Sequence, residues 1–160
     1  MRFFALSAFL VFLLLACEEE RRVYEDNQDF KERTWNVTDI PRFEFRIKDP
    51  GNKYNLYWHI RNSLDYPYAR LFVRYSLRDS TGAELQRKLV SEFLFDQKTG
   101  QPQGRSGLGD VFDHRFLLLN EYEFKRSGKY ILELEQFMRL DTLQGILSVG
   151  VRVETAKGKE

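Results

Sequence analysis

Cys17 is the residue whose chemistry and position stand out first. It is the only cysteine in 160 residues, and it closes the run Leu14-Leu15-Ala16-Cys17 directly before Glu18-Glu19-Glu20. A leucine three places before a cysteine, with a small residue between them, is the pattern a lipoprotein signal peptidase reads. Arg2 supplies the positive n-region, residues 3–15 the apolar h-region and Ala16 the cleavage position. Cys17 is then expected to take a thioether-linked diacylglycerol and to become the mature N-terminus. The apolar run is shorter than the roughly 20 residues a spanning helix needs. An ordinary signal peptide or an uncleaved anchor is the other reading, and it leaves a lone reactive thiol in an exported chain. One acyl chain binds a membrane marginally, at about 0.8 kcal/mol per CH₂, and two or three on one residue hold it stably.

The remaining reactive side chains do not assemble into a catalytic pattern. His59 and His114 are the only histidines, and with the thiol used by lipid there is no nucleophile and base to pair. Asp110, Asp113 and His114 carry metal-ligand chemistry, but Asp113 and His114 are neighbours in an extended run and point to opposite faces. Glu133 and Glu135 share a face at a spacing that suits paired carboxylates roughly 5 to 9 Å apart, yet alternation of this kind marks a solvent face. The glycine-rich stretch 100–109 lacks the Gly-Lys-Ser/Thr ending of a phosphate-binding loop. The expectation is no enzyme, no metal, no cofactor and no small-molecule substrate.

Cleavage before Cys17 removes Arg2 and no acid, so 24 bases face 24 acids in residues 17–160. A basic footprint for nucleic acid is absent. The length suits one domain, large enough to fold without disulfides. The organisation expected is a signal peptide over 1–16, a lipidated N-terminus and flexible tether over 17–28, a folded domain over 29–156 and a polar tail over 157–160. The tether reading rests on charge and low apolar content; the acids after Cys17 also read as a sorting signal.

From residue 30 onward the hydrophobic period is close to two. Phe43, Phe45 and Ile47 share one face; so do Tyr54, Leu56, Trp58 and Ile60, and Leu71, Val73, Tyr75 and Leu77. Leu85, Leu89, Phe93 and Phe95 share a parity, as do Phe112, His114, Phe116 and Leu118, then Tyr130, Leu132 and Leu134, and finally Val149, Val151 and Val153. Turn chemistry falls at Asp49-Pro50-Gly51-Asn52, at Asp79-Ser80-Thr81-Gly82 and near Gly128. About eight strands at this spacing, with no amphipathic helix of three turns, predict an all-β fold: a single antiparallel β-sandwich of Ig-like or jelly-roll type. Residues 138–143 are expected to make one helical turn, with Met138, Leu140 and Leu143 toward the core.

Contact residues follow from what this pattern leaves outside the core. Tyr57, Tyr66, Tyr68 and Phe72 fall off the assigned apolar faces. They are candidates for protein or sugar contacts; for Tyr57 and Phe72 the other reading is the second buried face of a strand. Arg139 interrupts the alternation and either pairs with a carboxylate such as Asp141 or offers a contact at the end of the sandwich. Residues 100–109, with Arg105 inside them, form the longest loop and the first candidate for a partner surface.

Several of these pieces, in this order, resemble one family. They are the Leu-Leu-Ala-Cys signal, the strand from Tyr54 to Asn62, Tyr66-Pro67-Tyr68, the loop 104–110 and Gly128-Lys129-Tyr130. The most specific are Glu135-Gln136-Phe137-Met138-Arg139, Leu143-Gln144-Gly145-Ile146 and Val149-Gly150-Val151-Arg152-Val153. Together they resemble gliding-motility lipoproteins of the GldH type from Bacteroidetes. The resemblance implies an envelope lipoprotein, lipid-anchored with the outer membrane expected. Its partners would be other envelope proteins of the gliding apparatus and the type IX secretion machinery coupled to it. The alternative is a carbohydrate- or peptidoglycan-binding sandwich, for which an exposed aromatic row flanked by Asn, Gln or Asp is the mark.

Overall fold

A computed structural model describes residues 21–156; Ala16, Cys17, the signal over 1–16 and the tail over 157–160 lie outside the described residues. The fold is all-β, with antiparallel sheets packed as a sandwich and not closed into a barrel. Among the described residues no helix is long and apolar enough to cross a membrane.

The chain order is β1 (Arg22–Asp29), a tight turn at Lys31–Arg33, β2 (Thr34–Asn36), β3 (Arg42–Ile47), β4 (Lys53–Ser63) and β5 (Arg70–Asp79). Then come β6 (Glu84–Phe93), β7 (Arg105–Ser106), β8 (Val111–Glu123), β9 (Gly128–Gln136), β10 (Thr142–Gln144) and β11 (Ile146–Thr155). One sheet has the order β1-β11-β4-β8-β7 and the other β3-β9-β5-β6. A short pair, β10 with β2, closes one end of the sandwich over Trp35 and Leu143, both fully buried.

The alternation of each long strand explains the core. Phe43, Phe45 and Ile47, then Leu56, Trp58 and Ile60, Leu71 to Leu77 at every second residue, Leu132, Leu134 and the three valines of β11 are all buried. They meet between the sheets, where side chains of alternate parity from both layers interdigitate. Tyr130, opening β9 after a turn, is buried and donates its hydroxyl to the Arg126 carbonyl at 2.7 Å.

Four expectations give way. The segment expected as tether is, from Arg22 onward, strand β1, paired antiparallel with β11. It carries little apolar signal because it is an edge strand held mainly by backbone bonds, and Tyr24 is its one aromatic to reach the core, against Phe45 at 5.9 Å. On β6 the parity is inverted: Val90 packs on the core while Leu85 and Leu89 are exposed. Pairing with β5 sets this, since Val90 lies opposite Val73 and Leu89 opposite the outward Arg74, and a one-residue shift in register exchanges the two faces. Residues 138–143 make no helical turn. The Gln136 side chain instead donates to the Leu140 carbonyl and accepts from the Met138 amide, Arg139 takes a left-handed φ of 58°, and the chain enters β10. The loop 100–109 is partly folded, since β7 adds itself to β8 and Pro102 bridges to Phe95. Short pieces such as β2, β7 and β10 also raise the strand number above eight.

Candidate functional site

Because β4 turns Tyr54, Leu56, Trp58 and Ile60 inward, Asn55, Tyr57, His59 and Arg61 must stand on the outer face of the five-stranded sheet. Register then brings Gly150 of β11 beside His59 and Arg152 beside Tyr57, with Asn27 and Glu25 of β1 next in the same rows. On the other side Arg115 lies opposite His59 and Asp113 opposite Arg61, with Arg105 of β7 beyond. These rows line a cleft of about 710 Å³ that also takes in Asp29, Ser106 and Ser148. Beside it β1 lies close against Gly150 of β11. A Cβ there would run into the Asn27 side chain and the Asp26 carbonyl, so glycine lets β1 close over the sheet at this point.

The floor is a network of charges. Arg61 Nε donates to Asp113 Oδ1 at 2.7 Å, Arg152 reaches Glu25 at 3.0 Å, and Arg115 reaches Glu154 at 2.7 Å. Arg152 also donates to Glu154, whose side chain is 4% exposed. Burial alone would raise the Glu154 pKa; the Arg115 and Arg152 guanidiniums overcome that and hold it low. His59 is pushed the other way, its pKa lowered mainly by burial and only partly restored by Glu25, whose carboxylate is 3.8 Å from Nδ1. Two buried atoms in this group, His59 Nε2 and Arg115 Nε, have no hydrogen-bond partner. His114 shares the inward parity of β8 and is buried, and it also lines the cleft. Burial lowers its pKa to about 4, and its Nε2 lies 2.9 Å from Asn62 Oδ1.

The four-stranded sheet presents a different outer face. Phe72, Leu89, Phe137, Met138 and Arg139 line an apolar hollow of about 300 Å³. The Arg70 guanidinium covers the Phe72 and Phe93 rings at 4.9 and 5.0 Å, and Arg74 covers Phe137 at 4.9 Å. Glu133 and Glu135 stand on this face as ion-pair partners of Arg78 and Arg74. Among the described residues no group of three His, Cys, Asp or Glu side chains is placed to hold a metal; Asp110 pairs with Arg33 at 3.0 Å.

The contact candidates do not gather in one place. Arg105 lines the polar cleft. Tyr57 lies beside it with the Arg115 guanidinium 4.0 Å above its ring. Tyr66, expected on the surface, is buried, stacked on Phe95 and donating to the Arg70 carbonyl at 2.9 Å; Tyr68 packs edge-on against it and stays exposed. Arg139 lines the apolar hollow and makes no ion pair with Asp141. The exposed aromatic row flanked by amides is absent from the cleft, where Tyr57 is covered by arginine. In the sequence Glu25 reads as part of the tether, Arg152 as the outer face of an alternating strand, and Arg115 carries no signal of its own. The available signal was Gly150, a glycine inside a run of valines.

Comparison with known proteins settles the family. The model of the GldH lipoprotein family matches residues 22–153. The chain belongs to the GldH lipoprotein family. A gliding motility lipoprotein GldH homolog of Christiangramia forsetii is 30% identical over 156 residues, covering 91% of each chain. The gliding motility lipoprotein GldH of Flavobacterium johnsoniae is 26% identical over 149 residues, covering 89% of each. Among solved structures, the GH115 4-O-methyl-α-glucuronidase BtGH115A aligns with a TM-score of 0.47 at 12% identity, over 86% of this chain and 18% of the enzyme. The family match begins at Arg22, where β1 begins.

Proposed function

We propose that this GldH-family lipoprotein is a non-catalytic assembly component of the gliding machinery and its linked type IX secretion system, anchored through Cys17 at the outer membrane. Its work is tethering: the lipid fixes the sandwich at the membrane surface, and the sandwich holds protein partners there. The observation that carries this reading is how early the fold starts. Arg22 is already in β1, five residues after Cys17, and five residues of chain reach at most about 18 Å even when fully extended. A domain on so short a leash works where it is anchored. The apolar hollow of Phe72, Leu89, Phe137 and Met138 beside Arg139 supplies a contact surface of the kind protein partners use, with aromatic, Met and Arg side chains together. Tyr68 and Arg105 are further contact residues in this reading.

The test is single-cell movement on glass after deletion in a gliding host that carries the gene, with wild-type and Cys17→Ser copies returned. Rescue by the wild-type copy alone is expected. Normal movement in the deletion strain overturns the role in gliding, and full rescue by Cys17→Ser overturns the tether.

A further inference from the structure

Apart from Arg105 at its rim, the polar cleft on the five-stranded sheet is not used by the tethering role, and its chemistry is specific. We propose that it is a binding site for a neutral, polyhydroxylated chain, a glycan segment held by hydrogen bonds to the His59, Arg115 and Arg105 side chains.

Shape is the first argument. The lining residues come from all five strands, from Asn27 on β1 to Arg105 on β7, and four strand spacings of about 4.8 Å make the cleft roughly 19 Å long. An elongated trough across the strands suits a linear chain better than a compact ligand.

Charge is the second. Of the four arginines that line the cleft, Arg61 is paired with Asp113, Arg152 with Glu25 and Glu154, and Arg115 with Glu154, which lies outside the lining, while Arg105 is exposed at the rim. Among the paired charges away from Arg105, an anionic or cationic ligand would have to break a pair and leave its partner charge exposed to the cost of burial. A hydroxyl breaks nothing, because it can donate to a carboxylate and accept from a guanidinium at once.

The third argument is the pair of unpartnered atoms. Arg115 Nε–H needs an acceptor, and His59 Nε2 needs a donor or an acceptor according to its tautomer. Both atoms are closed to solvent in this structure, so a ligand hydroxyl reaches them with a shift of the His59 and Arg115 side chains and then satisfies both requirements whichever tautomer His59 adopts. A buried polar atom left unpaired opposes stability, and a partly buried ion network adds little in return. That combination is expected of a site shaped for a ligand. Because Tyr57 is covered by Arg115, stacking is not the basis of recognition, and aliphatic sugar rings need only the trough.

The full-length lipidated protein in detergent micelles is titrated with laminaritetraose, xylotetraose, mannotetraose and the tetramer of N-acetylglucosamine, with a galacturonic acid tetramer as the anionic probe. Calorimetry measures affinity, and the Arg115 Nε–H resonance reports on the site. At least one neutral tetramer is expected to bind and to shift that resonance. His59→Ala is expected to weaken binding tenfold or more, and the exposed Arg105→Ala about threefold with the fold intact by circular dichroism. Leu89→Ser on the opposite sheet should change nothing. The proposal is overturned if no neutral tetramer binds at about 5 mM, a free energy near −3 kcal/mol. It is also overturned if the galacturonic acid tetramer binds more tightly than any of them, or if His59→Ala binds as well as wild type. Since neither protein partners nor gliding enters these measurements, the result is independent of the tethering role.

Discussion

The two outer faces are built by the same alternation and end up opposite in character. On the five-stranded sheet the outward positions of β4, β8 and β11 carry charges, withdrawn deepest at Arg152 and Glu154, 13% and 4% exposed, and least at Arg61 and Asp113, 50% and 46%. On the four-stranded sheet the outward positions of β5 and β6 include Phe72 and Leu89, Phe137 follows directly after β9, and Leu89 is 46% exposed. Ordinary burial would place these the other way round. Charged groups withdrawn from water and apolar groups left in it both oppose stability, so each face carries a feature that packing alone does not ask for. The polar cleft suits a ligand that bonds to fixed donors and acceptors, and the apolar hollow suits a protein surface.

Substitutions that strike beneath both faces should blur the contrast and produce the largest effects. Leu56→Ala under the charged face and Leu132→Ala under the apolar face each empty a fully buried site and should cost about 2–5 kcal/mol in urea unfolding. Similar losses from both sides are expected, because the two sheets share one core; a large difference would mean that one sheet folds without the other. Acid comes next and acts on the charged sheet. His114 has its pKa lowered to about 4 by burial, against about 6.5 when unfolded. The unfolded state therefore binds more protons between these values, so stability is full above about pH 6.5 and falls as pH drops toward 4, by about 3 kcal/mol. In His114→Gln most of that slope should vanish, leaving the smaller contribution of His59, whose pKa is shifted in the same direction. An unchanged slope would place the titration elsewhere.

Glu154→Gln probes the charged face itself. It takes from Arg115 its carboxylate partner and leaves Arg152 with Glu25 alone, and should cost about 2 kcal/mol. Glu135→Gln on the apolar face opens a bidentate pair with Arg74 whose side chains are 26% and 32% exposed, and water can replace it, so about 1 kcal/mol or less is expected. Equal losses would remove the distinction between the faces.

The core of this sandwich was legible because each long strand buries one parity, and alternation in the sequence reports parity directly. Edge strands escaped for the same reason. β1 presents its backbone to β11 and little side-chain surface to the core, so Arg22–Asp29 reads as a charged leader. On β6 the sequence shows that Leu85, Leu89 and Phe93 share a face but not which face is inside, and only pairing with β5 assigns it. The candidate site suffered from a related blindness. Arg105 and Arg139 were found singly, as exposed cations in irregular chain, and each lines a depression. Tyr66 was misplaced because a tyrosine beside proline in a connection looks exposed, whereas its ring fills the end of the core. The charged network needs residues from β1, β4, β8 and β11 that are up to 127 positions apart, and no local period relates them.

The smallest expected effect on stability is the one that most sharpens the comparison. Leu89 and Phe137 are exposed, and replacing both with serine removes apolar surface from water without opening the core. Stability should change by no more than about 0.5 kcal/mol for each, the range of ordinary surface substitutions. If the hollow is a partner surface, the same double variant returned to a gliding deletion strain should fail to restore movement even though it accumulates to wild-type levels and remains membrane-bound. Loss of movement with loss of the protein would instead make the hollow part of the fold. Full movement would remove the four-stranded sheet from partner binding. The charged face would then be the only one of the two with a claim on a ligand.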